Sequence, residues 1–303
     1  MTQTDSAIAS TQIPAGRRDW PALAALSCAV ALWGGSFAAM RLAVQVLDPW
    51  AVMWVRMVLA SLFFLPFLRR QPPAQRQRGD WRLLLPMVAT QPCLYFLLES
   101  HALQYTSSSQ AGVISASVPL MVALGAYLLL GEALRRKTLF GLLLALGGVG
   151  LLTGAAGGAH QGSNPLLGNA LEFLAMACAA VNMVLIKRLS GRYNPWTLTG
   201  MQMAAGTLFF LPGLFALLAS PVALFSPLLI AMLLFLGGFV TLGAFGLYNW
   251  GMSRLPAARA SSFINLVPVV AVTVGWLGLG ESLSALQCLA AAVVLAGVWI
   301  SQR

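Results

Sequence analysis

The chain has 303 residues, of which 59% are hydrophobic and only 9% are charged, and its formal net charge is +10. A soluble protein of this length must keep its exterior largely polar, so the composition excludes the soluble globular classes. The basic residues lie in short segments between apolar runs, which disfavours nucleic acid as a partner. The apolar residues themselves fall into runs of about 20, the length that crosses about 30 Å of hydrocarbon.

Ten apolar runs follow the N-terminal segment, and Pro, Gly or charged residues separate them. The transmembrane spans are predicted at 21–40, 50–68, 83–104, 107–130, 138–156, 166–186, 195–219, 227–250, 258–280 and 283–301. Several joints are very short, so neighbouring helices are expected to form antiparallel hairpins. Residues 1–19 are interpreted as a cytoplasmic N-terminal tail, with Arg17 and Arg18 before an uncleaved anchor.

Charge placement fixes the predicted orientation. With the N-terminus in the cytoplasm, every Lys and Arg except Arg41 and Arg56 falls at a cytoplasmic end of a span. Cytoplasmic loops of membrane proteins carry such an excess, and removing or adding one central span would destroy the alternation. The sequence therefore predicts an all-α, multi-pass protein of the cell inner (plasma) membrane, with ten transmembrane helices and both termini cytoplasmic.

The two halves of the chain are related in sequence. The tetrapeptide Phe-Phe-Leu-Pro at 63–66 recurs at 209–212, an offset of 146 residues, and Pro-Trp at 49–50 recurs at 195–196. Pro119 and Glu132 recur as Pro268 and Glu281, an offset of 149. The repeats are predicted at 20–156 and 166–301. Because each holds five spans, an odd number, the second repeat is expected to be inverted, the usual plan of secondary transporters.

Several motifs of the chain also occur together in a known family. They are Ala-Leu-Trp-Gly-Gly-Ser-Phe at 31–37, Arg56, Ala-Leu-Gln-Tyr-Thr-Ser-Ser at 102–108, and the repeated proline and Gly-Glu pattern. Over nearly the whole chain this pattern resembles the drug/metabolite transporter superfamily, and within it the EamA-type ten-helix exporters. The resemblance implies alternating access and a central cavity walled mainly by spans 1, 3, 4, 6, 8 and 9. It implies export of amino acids, other metabolites or toxic compounds, and one branch exports aromatic and other neutral amino acids.

The polar residues identify cavity-lining spans independently of the resemblance. Residues 139–152 of span 5 include no polar side chain, whereas spans 3, 8 and 9 are rich in them. Polar groups in a bilayer are costly unless they face protein or water. With the aromatic residues of the same spans, which would suit an apolar or aromatic substrate, the predicted substrate-binding residues are Trp33, Ser36, Phe37, Gln91, Tyr95, Glu99, Ser115, Asn182, Tyr248, Asn249, Phe263 and Asn265.

Two charges inside the spans have alternative interpretations. Glu99 shares a helix face with Tyr95 and Gln91, so it is a candidate to bind an ammonium group or carry a proton. The alternative is an acid at the water-exposed mouth of span 3. Arg56 is interpreted as a structural charge that ties helices together through carbonyls or a partner such as Glu172, although a buried arginine also binds carboxylates.

The repeated residues at span ends have predicted structural or gating roles. Glu132 and Glu281 are expected to bond to neighbouring backbone or charge at the membrane surface. Pro119 and Pro268 each remove a helix hydrogen bond, so they are candidate hinges, and simple bending without motion is the alternative.

The best functional hypothesis is a secondary exporter of small organic solutes, with neutral and aromatic amino acids as its substrates. A drug or other metabolite exporter is the alternative within transport. An intramembrane enzyme is disfavoured because His101 and His160 lie on the same predicted side with no acid at ligand spacing. We expect no catalytic residues, metal or cofactor; the partners are a small-molecule substrate and the lipid bilayer. The chain is expected to be a monomer, with a homodimer left open, and proton coupling would depend mostly on Glu99.

Overall fold

A computed structural model describes residues 19–68, 76–130, 133, 135–155, 162–221, 226–254 and 262–302. These residues form ten helical elements: α1 Trp20–Val46, α2 Pro49–Leu68, α3 Trp81–Tyr105, α4 Ser108–Ser115 with Val118–Leu130, α5 Arg136–Gly154, α6 Pro165–Leu189, α7 Pro195–Phe209 with Pro212–Ala219, α8 Pro227–Leu234 continued by Phe235–Ala244 and Phe245–Arg254, α9 Ser262–Leu266 with Val267–Leu279, and α10 Ala285–Gln302. Each predicted run coincides with one element. Glu132 and residues 258–261 of the predicted ninth span lie outside the described residues.

Four helices begin at a proline preceded by a polar capping residue. The side chains of Asp48, Asn164, Asn194 and Ser226 accept hydrogen bonds from backbone N–H groups of the following turn at 2.8–3.2 Å. Proline fits the first helical position because that residue has no intrahelical partner for its N–H. The dipeptides that mark joints in the sequence are therefore helix start signals.

Seven helices are long and apolar enough to cross a membrane, and α7 is an eighth if its two segments form one span. Those segments meet at 57°, where Pro212 begins the second segment and lacks an N–H to continue the ladder. Over the described residues, α9 and α10 are apolar but shorter. Among the described residues, seven of the ten predicted spans thus meet the length criterion, α7 meets it if its two segments form one span, and the other two are short apolar helices.

The outer surface of the bundle is apolar. Leu128, Leu208, Leu218 and Leu277 are 68–74% exposed, while charged side chains such as Arg56 are buried. This distribution is the reverse of that in a soluble protein and matches a surface solvated by lipid.

Helices α2 and α7 contact each other at residues that are counterparts in the two repeats. Ser61 Oγ lies 3.1 Å from Thr207 Oγ1, and the two positions are 146 residues apart. Two aromatic contacts flank this pair, one between Trp50 and Phe210 and one between Phe64 and Trp196. The offset of 146 relates Trp50 to Trp196 and Phe64 to Phe210, so the two contacts are counterparts in the repeats. Because low residue numbers of α2 meet high residue numbers of α7, the two helices run antiparallel.

The counterpart helices α4 and α9 also contact each other, and so do α5 and α10. Gly112 of α4 abuts Ala271 of α9, and Gly148 of α5 abuts Val294 of α10. A Cβ atom added at either glycine would overlap the facing side chain, so the helix axes approach closely only because the residue is glycine.

The remaining contacts gather the helices around a centre. Helices α3 and α4 both pack against α6, and α8 and α9 both pack against α1. We call these sets the α3–α4–α6 group and the α1–α8–α9 group. Each draws helices from both halves of the sequence, and the space between them holds the candidate site.

Candidate functional site

A central cavity of about 80 Å³ lies between the two groups. All six of their helices line it, α2 adds Arg56, and none of the described residues of α5 or α10 does. The lining residues are Trp33, Ser36, Phe37, Arg56, Gln91, Tyr95, Phe96, Glu99, Ser115, Val118, Met176, Ala179, Met183, Phe245, Ile264 and Val267. Ligand pockets measure roughly 300–1,000 Å³, so this conformation has room for water and must open to take an organic solute.

Glu99 supplies the acidic group of the cavity, and its side chain is buried. Tyr95, one turn earlier in α3, donates its hydroxyl to Glu99 Oε1 at 2.6 Å. The other oxygen, Oε2, lies 3.9 Å from Nη1 of Arg56. That distance is too long for a hydrogen bond, so the two charges attract each other across a gap.

Arg56 is anchored on the side that faces away from Glu99. Its Nε donates to Thr241 Oγ1 at 2.7 Å, and Thr241 in turn donates to the carbonyl of Leu236 at 2.8 Å. The guanidinium carbon lies 4.2 Å from the centre of the Phe96 ring. Nη1 is buried and has no hydrogen-bond partner among the described residues. An unsatisfied buried donor is costly, so Nη1 is a candidate to bind a ligand.

Helix α3 is broken beside the cavity. Gln91 has extended φ/ψ angles of −146° and 122° within the π-helical segment Ala89–Leu94. Its carbonyl leaves the helical ladder and accepts hydrogen bonds from Gln202 at 2.9 Å and Asn182 at 3.4 Å. A backbone group inside a bilayer needs such a partner. The π-helical segment of α8 begins at Phe235, 146 residues after Ala89, so both repeats are irregular at the same position.

A second buried acid lies on α6. Glu172 has no exposed surface, and neither carboxylate oxygen has a hydrogen-bond partner among the described residues. It precedes the lining residues Met176, Ala179 and Met183 at spacings of four, three and four, so it shares their helix face.

Seven of the twelve predicted substrate-binding residues line the cavity. They are Trp33, Ser36, Phe37, Gln91, Tyr95, Glu99 and Ser115. Ser36 and Ser115 direct their hydroxyls to backbone carbonyls three residues earlier, at 2.7 Å in both cases.

Of the other five predicted residues, the four whose side chains are described are not part of the lining. Asn182 lies behind Gln91, where it also donates to the carbonyl of Met87 at 2.7 Å. Tyr248 packs its ring 4.8 Å from that of Trp33. Phe263 is half-buried and packs against the apolar core that contains Tyr248. Asn265 has a buried Oδ1 without a partner among the described residues. The side chain of Asn249 lies outside the described residues.

The family resemblance places span 6 in the cavity wall, but the sequence does not identify the residues of α6 that line it. These residues are apolar, so the search for polar side chains could not find them. The available signal was Glu172, the one acid in Pro165–Leu189, with Met176, Ala179 and Met183 following it on one face. The sequence predicts Glu172 as a possible partner of Arg56, whereas in the structure the arginine bonds to Thr241 and faces Glu99.

Pro119 and Pro268 occupy equivalent places in α4 and α9. Each is the second residue of a helical segment that follows an irregularity, Ser115–Val118 in α4 and the 3₁₀ turn Ser262–Leu266 in α9. Proline is tolerated there because the first turn of a helix makes no use of its N–H. Both breaks lie beside cavity residues, namely Ser115, Val118, Ile264 and Val267.

Glu281 joins α9 to the first turn of α4. It accepts hydrogen bonds from the backbone and side chains of Ser108 and Ser109 at 2.6–3.0 Å, and Arg41 of α1 forms an ion pair with it. Burial opposes ionisation, but these donors, with Ser109 the strongest, hold the pKa of Glu281 below its usual range. We call Arg41, Glu281, Ser108 and Ser109 the Glu281 cluster.

Asp80 forms a second cluster, which joins the start of α3 to the α6–α7 loop. Its carboxylate accepts from the Gln77 backbone at 2.9 Å, Tyr193 Oη at 2.8 Å and Arg192 Nη1 at 2.5 Å. The Gln77 N–H is the largest cause that holds the pKa of Asp80 below its usual range, while burial and this acid raise the pKa of Tyr193. These four residues are the Asp80 cluster.

The described part of the chain offers no metal site. No three His, Cys, Asp or Glu side chains within it approach closely enough to hold an ion. The four cysteines, Cys28, Cys93, Cys178 and Cys288, are all unpaired thiols.

Comparison with known proteins identifies a family. The model of the EamA-like transporter family matches the chain twice, at residues 20–154 and at residues 166–302. The two matches together cover most of the chain.

Curated relatives are similar over almost their whole length. The uncharacterized transporter YetK of Bacillus subtilis (strain 168) is 27% identical over 292 residues, which cover 94% of this chain and 88% of that protein. An uncharacterized transporter of Archaeoglobus fulgidus is 26% identical, with 91% and 95% covered. A probable terminal-alkyne amino-acid exporter of Streptantibioticus cattleyicolor is 27% identical, with 92% of each chain covered. A protein of known crystal structure, 19% identical, shares the fold with a TM-score of 0.62 over 92% of this chain and 96% of that one.

Proposed function

The chain belongs to the EamA-like transporter family, and we propose that this multi-pass secondary transporter exports neutral and aromatic amino acids across the inner (plasma) membrane. The observation that carries the substrate class is the gap between Arg56 Nη1 and Glu99 Oε2 in an apolar cavity. The family match shows that the chain is a transporter and not an enzyme.

An α-amino acid carries the two charges that this gap offers to bind. Its carboxylate would take the free donor of Arg56, and its ammonium group would lie against Glu99. The side chain would then lie among Trp33, Phe37 and the rings of Phe96 and Phe245, which favour apolar and aromatic groups. A solute with only one of the two charges would leave the other buried and unpaired, which is unfavourable.

One relative supports this substrate class. The Streptantibioticus cattleyicolor protein is named as a probable exporter of a terminal-alkyne amino acid, and its similarity extends over 92% of both chains. The other relatives cited above are transporters without a stated substrate.

Contacts between helix ends support the proposed topology of ten spans with both termini cytoplasmic. Asp19 before α1 lies 3.6 Å from Arg254 at the end of α8, and Asp80 bonds to Arg192 after α6. The topology assigns all four to the cytoplasmic side. It assigns Arg41 and the other members of the Glu281 cluster to the outer side, and they also contact one another.

The antiparallel counterpart pairs support an inverted repeat. In a two-fold arrangement, a residue near the axis meets its own counterpart, as Ser61 meets Thr207. Counterpart helices that run antiparallel require this axis to be perpendicular to them, and therefore in the membrane plane. The chain would thus combine inverted halves around a cavity near the midplane.

A transport experiment tests the proposal. Purified protein in liposomes loaded with labelled Phe, Trp, Leu or Met is expected to release the label faster than protein-free liposomes. Unlabelled phenylalanine should compete, whereas 3-phenylpropionate, which lacks the ammonium group, and phenethylamine, which lacks the carboxylate, should compete poorly.

The alternatives predict other results in the same liposomes. Release of none of the four amino acids would overturn the proposed substrate class. Transport of a lipophilic cation such as ethidium, with no amino-acid release, would favour the drug-exporter alternative. If phenethylamine competed as well as phenylalanine, Arg56 would not recognise the substrate carboxylate.

A further inference from the structure

Glu172 is a buried carboxyl group that takes no part in the proposed binding of the amino acid. It has no exposed surface, and both oxygens lack a hydrogen-bond partner among the described residues. It lies one turn, about 6 Å along α6, beyond the cavity residue Met176 and on the same helix face.

Few charges face Glu172 from the helices that pack against α6. From α3, Glu99 and Tyr95 interact electrostatically with it, and Arg56 of α2 lies 3.9 Å from Glu99. The described residues of α4 contribute uncharged groups at this level. On α5, Arg136 begins the helix, about 25 Å from Thr153 at the opposite end.

Ionisation of both acids beside a single arginine is unfavourable. A buried carboxylate without hydrogen-bond donors is strongly disfavoured, and two negative charges in one buried site repel each other. Arg56 balances one negative charge. The pair Glu99 and Glu172 is therefore suited to hold one proton between them.

We propose that Glu172 and Glu99 form a proton site that couples amino-acid export to proton entry. The inference rests on the proposed function for its substrate but not for the proton site itself. In the outward-open state, the site takes a proton from outside as the amino acid leaves. In the inward-open state, the proton leaves to the cytoplasm as the ammonium group of the next amino acid binds Glu99. Each cycle exchanges one proton for one zwitterion.

A polar column begins one turn from Glu172, on the side toward the outer ends of α5 and α6. Asn169, one turn from Glu172, donates to Gln110 Oε1 at 2.8 Å and to Thr153 Oγ1 at 3.0 Å. Thr106 donates to Asn169 Oδ1 at 2.6 Å. Asn169 and Thr153 also line a groove of about 700 Å³ between α5 and α6. Such groups bind water well, so this column is suited to admit protons to Glu172 without passing through the cavity.

The proton site is tested first without any substrate. The chain has only eight acidic residues, so the infrared band of a protonated carboxylic acid can be followed in the purified protein at neutral pH. We expect this band in the wild type and its loss in Glu172→Gln. The matched control, Asp48→Asn, changes an exposed acid that caps α2 and should keep the band. An unchanged band in Glu172→Gln would overturn the proposal.

Coupling is tested in liposomes with labelled phenylalanine. A pH difference of one unit, coupled one to one, supports a tenfold concentration ratio of phenylalanine at steady state, because both correspond to about 1.4 kcal/mol. We expect roughly that ratio for the wild type and for Asp48→Asn, and a ratio near one for Glu172→Gln. Asn169→Leu should keep the infrared band and approach the steady state more slowly.

The outcomes separate the two proposals. Phenylalanine that equilibrates in the wild type without accumulating would overturn proton coupling and leave the amino-acid exporter in place. A protein that moves no amino acid, yet loses the band in Glu172→Gln, would overturn the proposed substrate and retain the proton site.

Discussion

At the scale of single residues, the site depends on how firmly Arg56 is held. Thr241 fixes its Nε, Phe96 lies under its guanidinium, and Glu99 attracts it from 3.9 Å. Nη1 has no hydrogen-bond partner among the described residues, so it can bind a ligand. The planar guanidinium presents this donor in a fixed direction, which the flexible ammonium group of a lysine cannot do.

Substitution of Arg56 should separate charge from geometry. Arg56→Lys keeps the charge, so we expect a folded protein in which phenylalanine no longer raises the thermal unfolding midpoint and transport falls at least about tenfold, the effect of losing one charged hydrogen bond. Arg56→Gln leaves Glu99 without its positively charged partner, and we expect the free energy of unfolding to fall by about 3–5 kcal/mol. Arg82→Gln, at an exposed position, is the matched control. Full transport by Arg56→Lys would contradict this role.

The Asp80 cluster predicts an acid-sensitive contribution to stability. Asp80 has a depressed pKa, so its interactions with Gln77 and Arg192 stabilise the fold above its unfolded pKa of about 4. That contribution is lost as the pH falls through the pKa of the folded protein. We expect Asp80→Asn to lower the thermal unfolding midpoint at pH 7 and to differ less from the wild type as the pH falls. A difference independent of pH would contradict the assignment, and Asp48→Asn serves as control.

The sequence predicts some of these residues better than others, for a physical reason. Glu99 could be found because polar residues at a spacing of four form a visible stripe within an apolar run. Glu172 is followed by apolar residues on its face, and its importance depends on the approach of α3, which no local pattern encodes. The free donor of Arg56 likewise depends on Thr241, 185 residues away along the chain.

At the scale of helices, the irregular segments of α3 and α8 are held by counterpart residues. Arg56 of α2 donates to Thr241 in the π-helical segment of α8, and Gln202, its counterpart in α7, donates to the carbonyl of Gln91 in α3. Each repeat thus donates a hydrogen bond to the irregular helix segment of the other. Irregular backbone at membrane depth persists only with such partners.

Removal of the Gln202 amide should expose this dependence. Gln202→Leu leaves the Gln91 carbonyl with only the longer bond from Asn182, so we expect a loss of about 1–3 kcal/mol in the free energy of unfolding in detergent. The matched control is Gln104→Leu on the same helix as Gln91, where the amide makes one bond of 3.5 Å. Equal losses in the two variants would contradict a special role for Gln202.

Helix starts could be predicted from the sequence, but helix interruptions could not. Asn-Pro and Ser-Pro dipeptides mark starts because capping and the missing N–H act locally. The break at Gln91 lies inside a run that is apolar enough to read as one continuous span. Pro92 was a visible signal, yet the position of the break depends on Gln202 and Asn182 in the other repeat.

At the scale of the whole molecule, the contacts indicate which parts would move. Two groups of helices enclose the cavity, α3–α4–α6 and α1–α8–α9. The repeat relates α3, α4 and α6 of the first group to α8, α9 and α1 of the second. Alternating access by relative rocking of these groups is therefore symmetric, whereas rocking of the sequence halves would break the packing of α3 on α6 and of α8 on α1. The Glu281 cluster and the close approach of α4 to α9 hold the groups together at the proposed outer end.

A disulfide across that outer end should stop transport. An ideal Cβ at Gly275 lies 3.1 Å from Ser108 Oγ, and the side chains of Ser109 and Glu281, which lie still closer to it, must move aside. The spacing allows a disulfide in Ser108→Cys with Gly275→Cys, made in a chain whose four cysteines are replaced by alanine. We expect oxidation to reduce phenylalanine release to the level of protein-free liposomes, and reduction to restore it. The control is Ser108→Cys alone in the same cysteine-free chain, which cannot form this disulfide. Its transport should be equal before and after oxidation. Undiminished release after oxidation of the cysteine pair would show that α4 and α9 need not separate.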